Sequence, residues 1–331
     1  MKMLAFKNLF KPKAVEDCGQ YGLELAPTGL TMVHVGFSNE EKPTLEWCES
    51  RDDNQDNWGA SLAEIGKIHP FSSELCSITL HPKFYQFMLI DAPDVEDDEL
   101  QEAVKWRVSD LVDKPIDEVV VEVLGLPADA YRGRMKMVYV AIVPKTLIRE
   151  IVTMLDDQGL AVQSISVAEL SLMEYMKWLN GYEDLDVALI QIGKDAAQIC
   201  LMEHRQVYMA RAIEMTDEQL EHFRGSDNKS SETRMDYENI VLDIQRSLDY
   251  YESQLGKPGI EMAFIFAPHD DAHVMLDYMS EQLNIPLTEF PFDEIIVKGM
   301  ESVDIEALAG RETLALGAAL GGCHHHYETS D

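Results

Sequence analysis

The sequence makes one arrangement twice. From Tyr21 to Val35, "YGLELAPTGLTMVHV" reads as a strand, a turn at Ala26-Pro27-Thr28-Gly29, and a returning strand. From Val187 to Met202, "VALIQIGKDAAQICLM" does the same, with its turn at Gly193. The first strand of this second hairpin is apolar at successive positions, the pattern of a central strand in a covered sheet. Glu24 in "GLELA" and Gln191 in "LIQIG" take matching places, and Ala26 matches Gly193. Strands and helices then alternate in each half. The duplication predicts an α/β chain of two related lobes.

The intervening segments are consistent with that layout. Arg51 to Asn57 reads as a polar loop, and Ser77 to Ile90 as two strands around His81-Pro82, with His81 a turn residue. Glu96 to Val112 reads as a helix capped by Asp94 and buried along Leu100, Ala103, Val104, Val108 and Leu111. Trp106 lies off that stripe and reads as a second packing face, the favoured reading, or as an exposed contact. Strands are expected over Asp117–Leu126 and Lys136–Pro144, then a helix from Lys145 that stops at Gly159. "VQSISV" is a strand and "AELSLMEYMKWL" a helix. After the second hairpin come the strand "QVYMARAIEM", a polar loop over Arg224–Arg234, and the clearest helix, Asp236–Leu255, with a single apolar face. "EMAFIFAP" is a buried strand, "HDDAHVMLDYMSEQLNI" a helix, and "RETLALGAALGG" a small-residue helix able to pack closely on a sheet.

Composition narrows the function. The 331 residues carry 27 Lys+Arg against 60 Asp+Glu, a formal charge of -33, which disfavours nucleic acid as a partner. The five cysteines include no CxxC pair, so no disulfide framework is expected and a reducing cytoplasm fits. No run approaches the ~20 apolar residues of a membrane span, and the N-terminus lacks the continuous apolar stretch of a secretory signal. The first segment stands apart: Lys2, Lys7, Lys11 and Lys13 precede any acid and interleave with Leu4, Phe6, Leu9 and Phe10. It reads either as a frayed terminus or as a weak foot on an anionic membrane or a partner. HExxH, Walker A and GxSxG motifs are absent. "CHHHY" (Cys323–Tyr327) reads as a polar tail, and His269 and His273 as surface histidines without a third ligand, so no metal is expected.

The order of elements resembles the actin-like ATPase fold, in its PilM branch from type IV pilus assembly. "PDVEDDELQEAVKWRVSDLVDKPIDEVVVEVLGL" resembles that family's inserted subdomain, "IVLDIQRSLDYYESQ" its long lobe-II helix, and "LALGAALGG" its closing helix. The resemblance covers roughly Tyr21 to Gly322. It implies a basic and apolar tail over 1–16, lobe I over 17–183 with an inserted subdomain near 91–143, lobe II over 184–322, and a C-terminal tail over 323–331.

The same resemblance marks where a nucleotide would sit, and this sequence departs there. The family's first phosphate loop follows a strand Asp; here that place holds Glu24, and the turn is Ala26-Pro27-Thr28, in which Pro27 has no N–H. The second loop's Asp is Gln191; Gly193 stays, but the hydroxyl residues after it become Lys194, Asp195 and two alanines. The adenosine loop's paired glycines become Ala267-Pro268-His269. A degenerate pocket is therefore expected, with neither ATP nor Mg²⁺ as a working cofactor.

The function implied is a non-catalytic cytoplasmic scaffold, peripheral at the inner membrane, that binds the cytoplasmic tail of a PilN/MshJ-like bitopic membrane protein. An assembly ATPase is a further possible partner. Phe87, Leu89 and Trp106 are the first candidates for the partner groove. Two alternatives stand beside it: an ATP-binding switch in which Glu24 supports Mg²⁺, and an adaptor similar to the type II secretion protein GspL, recruiting a secretion ATPase. The lack of a membrane-spanning run counts against GspL itself, whose cytoplasmic domain is tethered in its own chain.

Overall fold

The computed structural model describes residues 19–37, 42–72, 74–127, 129–131, 136–193, 196–213, 215, 231–267, 269–299, 308 and 310–328, without the side chains of 231–236, 269–274 and 323–328. The basic N-terminal segment lies outside the described residues.

Both expected hairpins are present, and each starts a sheet. β1 (Gln20–Ala26) and β2 (Gly29–Gly36) pair antiparallel, β3 (Thr44–Asp52) continues the meander, and β4 (Leu75–Leu80) and β8 (Ala161–Val167) run parallel on the other side of β1. In the second sheet, β9 (Asp186–Ile192), β10 (Ala197–Glu203) and β11 (Gln206–Ile213) form the meander, and β12 (Met262–Phe266) and β13 (Leu287–Glu289) the parallel pair. The strand orders, β3-β2-β1-β4-β8 and β11-β10-β9-β12-β13, are the same topology repeated. The chain then returns: β14 (Val297–Lys298) joins the first sheet beside β3.

The helices modify several expectations. α1 (Trp58–Ile68) follows β3, which takes in Arg51 and Asp52 from the expected loop. α2 is confined to Leu100–Val108, because Glu96–Glu99 offer nothing apolar to bury, and Asp94 does not cap it. α3 (Lys145–Asp157) ends before Gly159, whose φ of +74° is the left-handed stop expected. The "AELSLMEYMKWL" segment divides into α4 (Ala168–Met173) and α5 (Tyr175–Trp178). α6 (Ser231–Tyr250) begins inside the expected polar loop, and its last turn widens to a π-helical turn, Tyr251–Leu255, closed by Gly256 at φ 69°. α7 (His269–Gln282) and the short α8 (Phe292–Ile295) complete the second half. α9 (Arg311–Glu328) takes its helical backbone into the expected C-terminal tail, as far as Glu328.

Strand alternation decides which side chains meet between the lobes. On β1, Tyr21, Leu23 and Leu25 face one way, into a core with Trp58, Leu62 and Ile65 of α1 and Ile148, Ile151 and Leu155 of α3. Gln20, Gly22 and Glu24 alternate to the other face, which α9 covers. Contact there is close: a Cβ on Gly22 would lie 2.0 Å from the Ala315 carbonyl oxygen, and one on Gly317 would lie 2.2 Å from that of Ser171. The small-residue closing helix thus packs as its composition suggested. On β9, Ala188, Ile190 and Ile192 face the core formed with α6 and α7, while Val187 and Leu189 face the core shared with α4 and α9.

The inserted subdomain is a three-stranded antiparallel sheet, β5 (Gln86–Asp91), β7 (Met137–Pro144) and β6 (Val119–Gly125), in that order. One face carries Val119, Val121, Val138, Val140 and Ile142, closed by Val104 and Val108 of α2. The other face carries Phe87, Leu89, Leu124, Tyr139 and Ala141, which pack against the core shared by both lobes. The sheet is therefore covered on both sides.

Candidate functional site

The two hairpin turns are held by different means. Around the first, the Trp58 indole donates to the carbonyls of both Ala26 and Gly29, each at 3.1 Å. The Asp53 amide donates to the Thr28 carbonyl at 3.0 Å. Asp53 in turn accepts from the Asn54 amide, the Asn57 side chain and Ser61, and these donors lower its carboxyl pKa. Gly29, at φ +145°, is required because a Cβ there would meet the Arg51 carbonyl oxygen at 2.0 Å. Glu24, fully buried, stands in register with Thr31 and Thr79 on the face toward α9.

In the second turn the Gly193 amide donates to the Ala196 carbonyl at 2.9 Å, so the turn closes on itself. Lys194 and Asp195 lie outside the described residues. Gln191, 2% exposed, shares its strand face with Val187 and Leu189. It accepts from Gln198 Nε2 and donates to the Gly310 carbonyl, both at 3.2 Å.

The start of α9 passes between these turns. Gly310 (φ +70°) comes so near the second turn that a Cβ on Gly193 would lie 3.1 Å from the Gly310 Cα. Arg311 donates to the Asp52 carboxylate and, at 3.5 Å, to the Arg51 carbonyl. The Glu312 carboxylate accepts from Ser50 at 2.7 Å, and Ser50 and Thr31 hydroxyls bond at 2.8 Å. One short segment, Gly310–Glu312, therefore ties the second hairpin to the strands of the first. Sequence reasoning did not single out Trp58, Asp53, Ser50 or Gly310–Glu312; only the glycine before "RETLALG" is a local signal. In the third expected loop, Ala267 follows β12, Pro268 lies outside the described residues, and His269 opens α7. His81 is confirmed as a buried turn residue, its Nδ1 accepting from the Lys83 amide at 3.1 Å.

A second polar cluster joins the subdomain to both lobes. Tyr85 donates to the buried Glu169 at 2.6 Å and accepts from the Ala168 amide at 3.1 Å. Burial holds the Glu169 carboxyl above its usual pKa. Tyr139 accepts from the Ala210 amide at 2.9 Å and stacks on Phe87 at 4.7 Å. On the β6–β7 connection, Ala130 is buried in the second lobe's core. Beside it, Lys257 Nζ donates to Asp129 at 2.5 Å and Glu203 at 2.6 Å, and lies 4.1 Å from the Tyr208 ring centroid.

The three groove candidates do not come together. Phe87 and Leu89 sit on the inward face of the subdomain sheet, whereas α2 covers the opposite face. Trp106 is 67% exposed, which corrects the favoured packing reading and agrees with the exposed-contact one; Leu111, expected in the buried stripe, is 56% exposed because it lies beyond the end of α2. Among the described residues, no cluster of three or more His, Cys, Asp or Glu could hold a metal, and no helix is long and apolar enough to cross a membrane.

Two sheets of one topology, with paired hairpins facing a shared seam, define the actin-like ATPase fold. Among solved structures, the chain is similar to one described as the PilM–PilN type IV pilus biogenesis complex, at TM-score 0.70 and 18% identity over 93% of this chain and 99% of that one. It is also similar to a Bacteroides thetaiotaomicron protein with an actin-like ATPase fold, at TM-score 0.50 and 12% identity over 82% and 91% of the two chains. The cytoplasmic domain of EpsL, an inner membrane component of the Vibrio cholerae type II secretion system, gives 0.49 with 13% identity over 95% and 96%. No protein-family model and no curated protein matches the sequence.

Proposed function

We propose that this protein is a non-catalytic cytoplasmic scaffold of a type IV pilus assembly machine, of the MSHA type and similar to MshI. It binds the cytoplasmic tail of a PilN/MshJ-like inner-membrane protein through lobe I and its inserted subdomain. The observation that carries this reading is the likeness to the PilM–PilN complex over 93% of the chain, together with the sequence resemblance of the inserted subdomain.

The same reading makes the nucleotide site degenerate. Pro27 removes a phosphate donor from the first turn. The Gly193 amide is engaged inside the second turn, and Gln191 bonds to Gly310 where the family carries a carboxylate. The residues at the seam do not fit a nucleotide, so its role is to fix the two lobes. Location at the inner membrane comes from the partner tail, with a weak additional contribution from the basic segment over 1–16.

Cell fractionation tests the proposal. Co-expressed with the PilN/MshJ-like protein, the chain should sediment with inner membranes. Expressed alone, it should remain largely in the supernatant. An equal membrane fraction in both cases would remove the tail-binding role.

A further inference from the structure

The stretch around α2 leaves large apolar side chains exposed that the fold does not use. Seven large apolar side chains stand exposed among the described residues, and three of them, Val95 (37%), Trp106 (67%) and Leu111 (56%), fall within the short stretch around α2. Loose packing does not explain this. Val104 and Val108 of the same helix are fully buried against the subdomain sheet. Gln101 Nε2 donates to the Val121 carbonyl, and Arg107 pairs with Asp91 at 3.4 Å. The helix is fixed on its inner side and presents an indole to solvent on its outer side.

The charge around the patch defines what can cover it. From Asp94 to Glu118 the sequence carries ten carboxylates against three cations, Lys105, Arg107 and Lys114. An anionic membrane would be repelled by this rim, and so would a second copy of a chain whose formal charge is -33. Tryptophan is among the residues that most often anchor an interface, and like-charge juxtaposition excludes wrong partners.

We propose that the exposed apolar side chains of this stretch, Trp106 on the outer surface of α2 and Leu111 beyond its end, dock a cationic segment of a partner protein, whose apolar side chains seat on them and whose lysines or arginines meet the surrounding carboxylates. Phe87 and Leu89 lie on the opposite side of the subdomain sheet, packed against the shared core, and the competition with the membrane-protein tail described below tests whether the two partners use separate surfaces.

The test uses the intact protein and a defined probe: a labelled 18-residue peptide of lysine and leucine with its leucines at helical spacing, followed by fluorescence anisotropy. The peptide should bind and weaken as salt rises. The double variant Trp106→Ala/Leu111→Ala should weaken it at least tenfold with an unchanged melting temperature. A glutamate/leucine counterpart should not bind, and saturation with the PilN/MshJ-like tail should leave the affinity unchanged. Equal affinity for the double variant would reduce the interaction to bulk charge and overturn the proposal, as would absence of binding or equal binding of the anionic peptide. Binding that appears only after removal of residues 1–16 would also overturn it, since the occupant would then be the chain's own basic segment.

Discussion

Gln191 donates to the Gly310 carbonyl at 3.2 Å across the seam between the two halves, while its Oε1 accepts from Gln198 at the same distance. Both ends of the amide are engaged, at a residue only 2% exposed. An aspartate there would keep an acceptor, lose the donor and bury a charge. Gln191→Asp should therefore destabilise the protein by about 1–3 kcal/mol, the usual cost of an unsatisfied buried polar group. Urea unfolding measures this, and an unchanged midpoint would show that the seam is not held by Gln191.

Nucleotide should have little effect on the folded state. A ligand at a hundred times its Kd stabilises by about 2.7 kcal/mol. Thermal-shift titration with Mg-ATP should give no saturable rise. A clear rise at low micromolar nucleotide would restore the ATP-binding switch as the better reading.

The duplicated hairpins were legible because alternation and turn chemistry are local, and Glu24 and Gln191 do take matching positions at the ends of equivalent strands. The seam was not legible, because Gly310–Glu312 meet Gln191, Ser50 and Asp52 only through the tertiary fold. β3 and α1 carry little periodic signal: β3 is mostly half-buried, and α1 is fixed by Trp58, whose indole bonds were not visible in sequence. At Trp106 the helical period correctly placed the indole off the stripe but could not decide between packing and exposure, because that depends on which elements the tertiary fold brings to the outer side of α2.

Lys257 is the latch between the subdomain loop and the second lobe. Its side chain is 8% exposed, whereas its partners Glu203 and Asp129 are 17% and 67% exposed. Lys257→Met leaves Glu203 without its cation in a partly buried place. The expected loss is about 1–3 kcal/mol, below the full cost of breaking a buried pair because Asp129 returns to water. Hydrogen exchange should show faster opening around Asp129–Tyr131. Unchanged protection there would separate the latch from the docking of this loop.

Glu122 supplies a pH dependence. Burial pushes its carboxyl from 4.5 up to about 7. The folded state then holds the proton more tightly than the unfolded chain, so this contribution is complete below about pH 4.5 and is lost as pH rises through 7. Glu122→Gln should flatten the decline of melting temperature across that window and exceed the parent above pH 7. Parallel profiles for parent and variant would show that Glu122 does not titrate with folding.

Calorimetric titration of the intact protein with a synthetic peptide of the PilN/MshJ-like cytoplasmic tail tests the scaffold reading most directly. A peptide that becomes ordered on docking concentrates its energy in a few apolar anchors, and its burial gives a negative heat-capacity change. The account predicts saturable binding of one peptide per chain at micromolar or tighter Kd, unchanged by Mg-ATP. No binding to the intact protein, or binding that appears only when Mg-ATP is added, would contradict it.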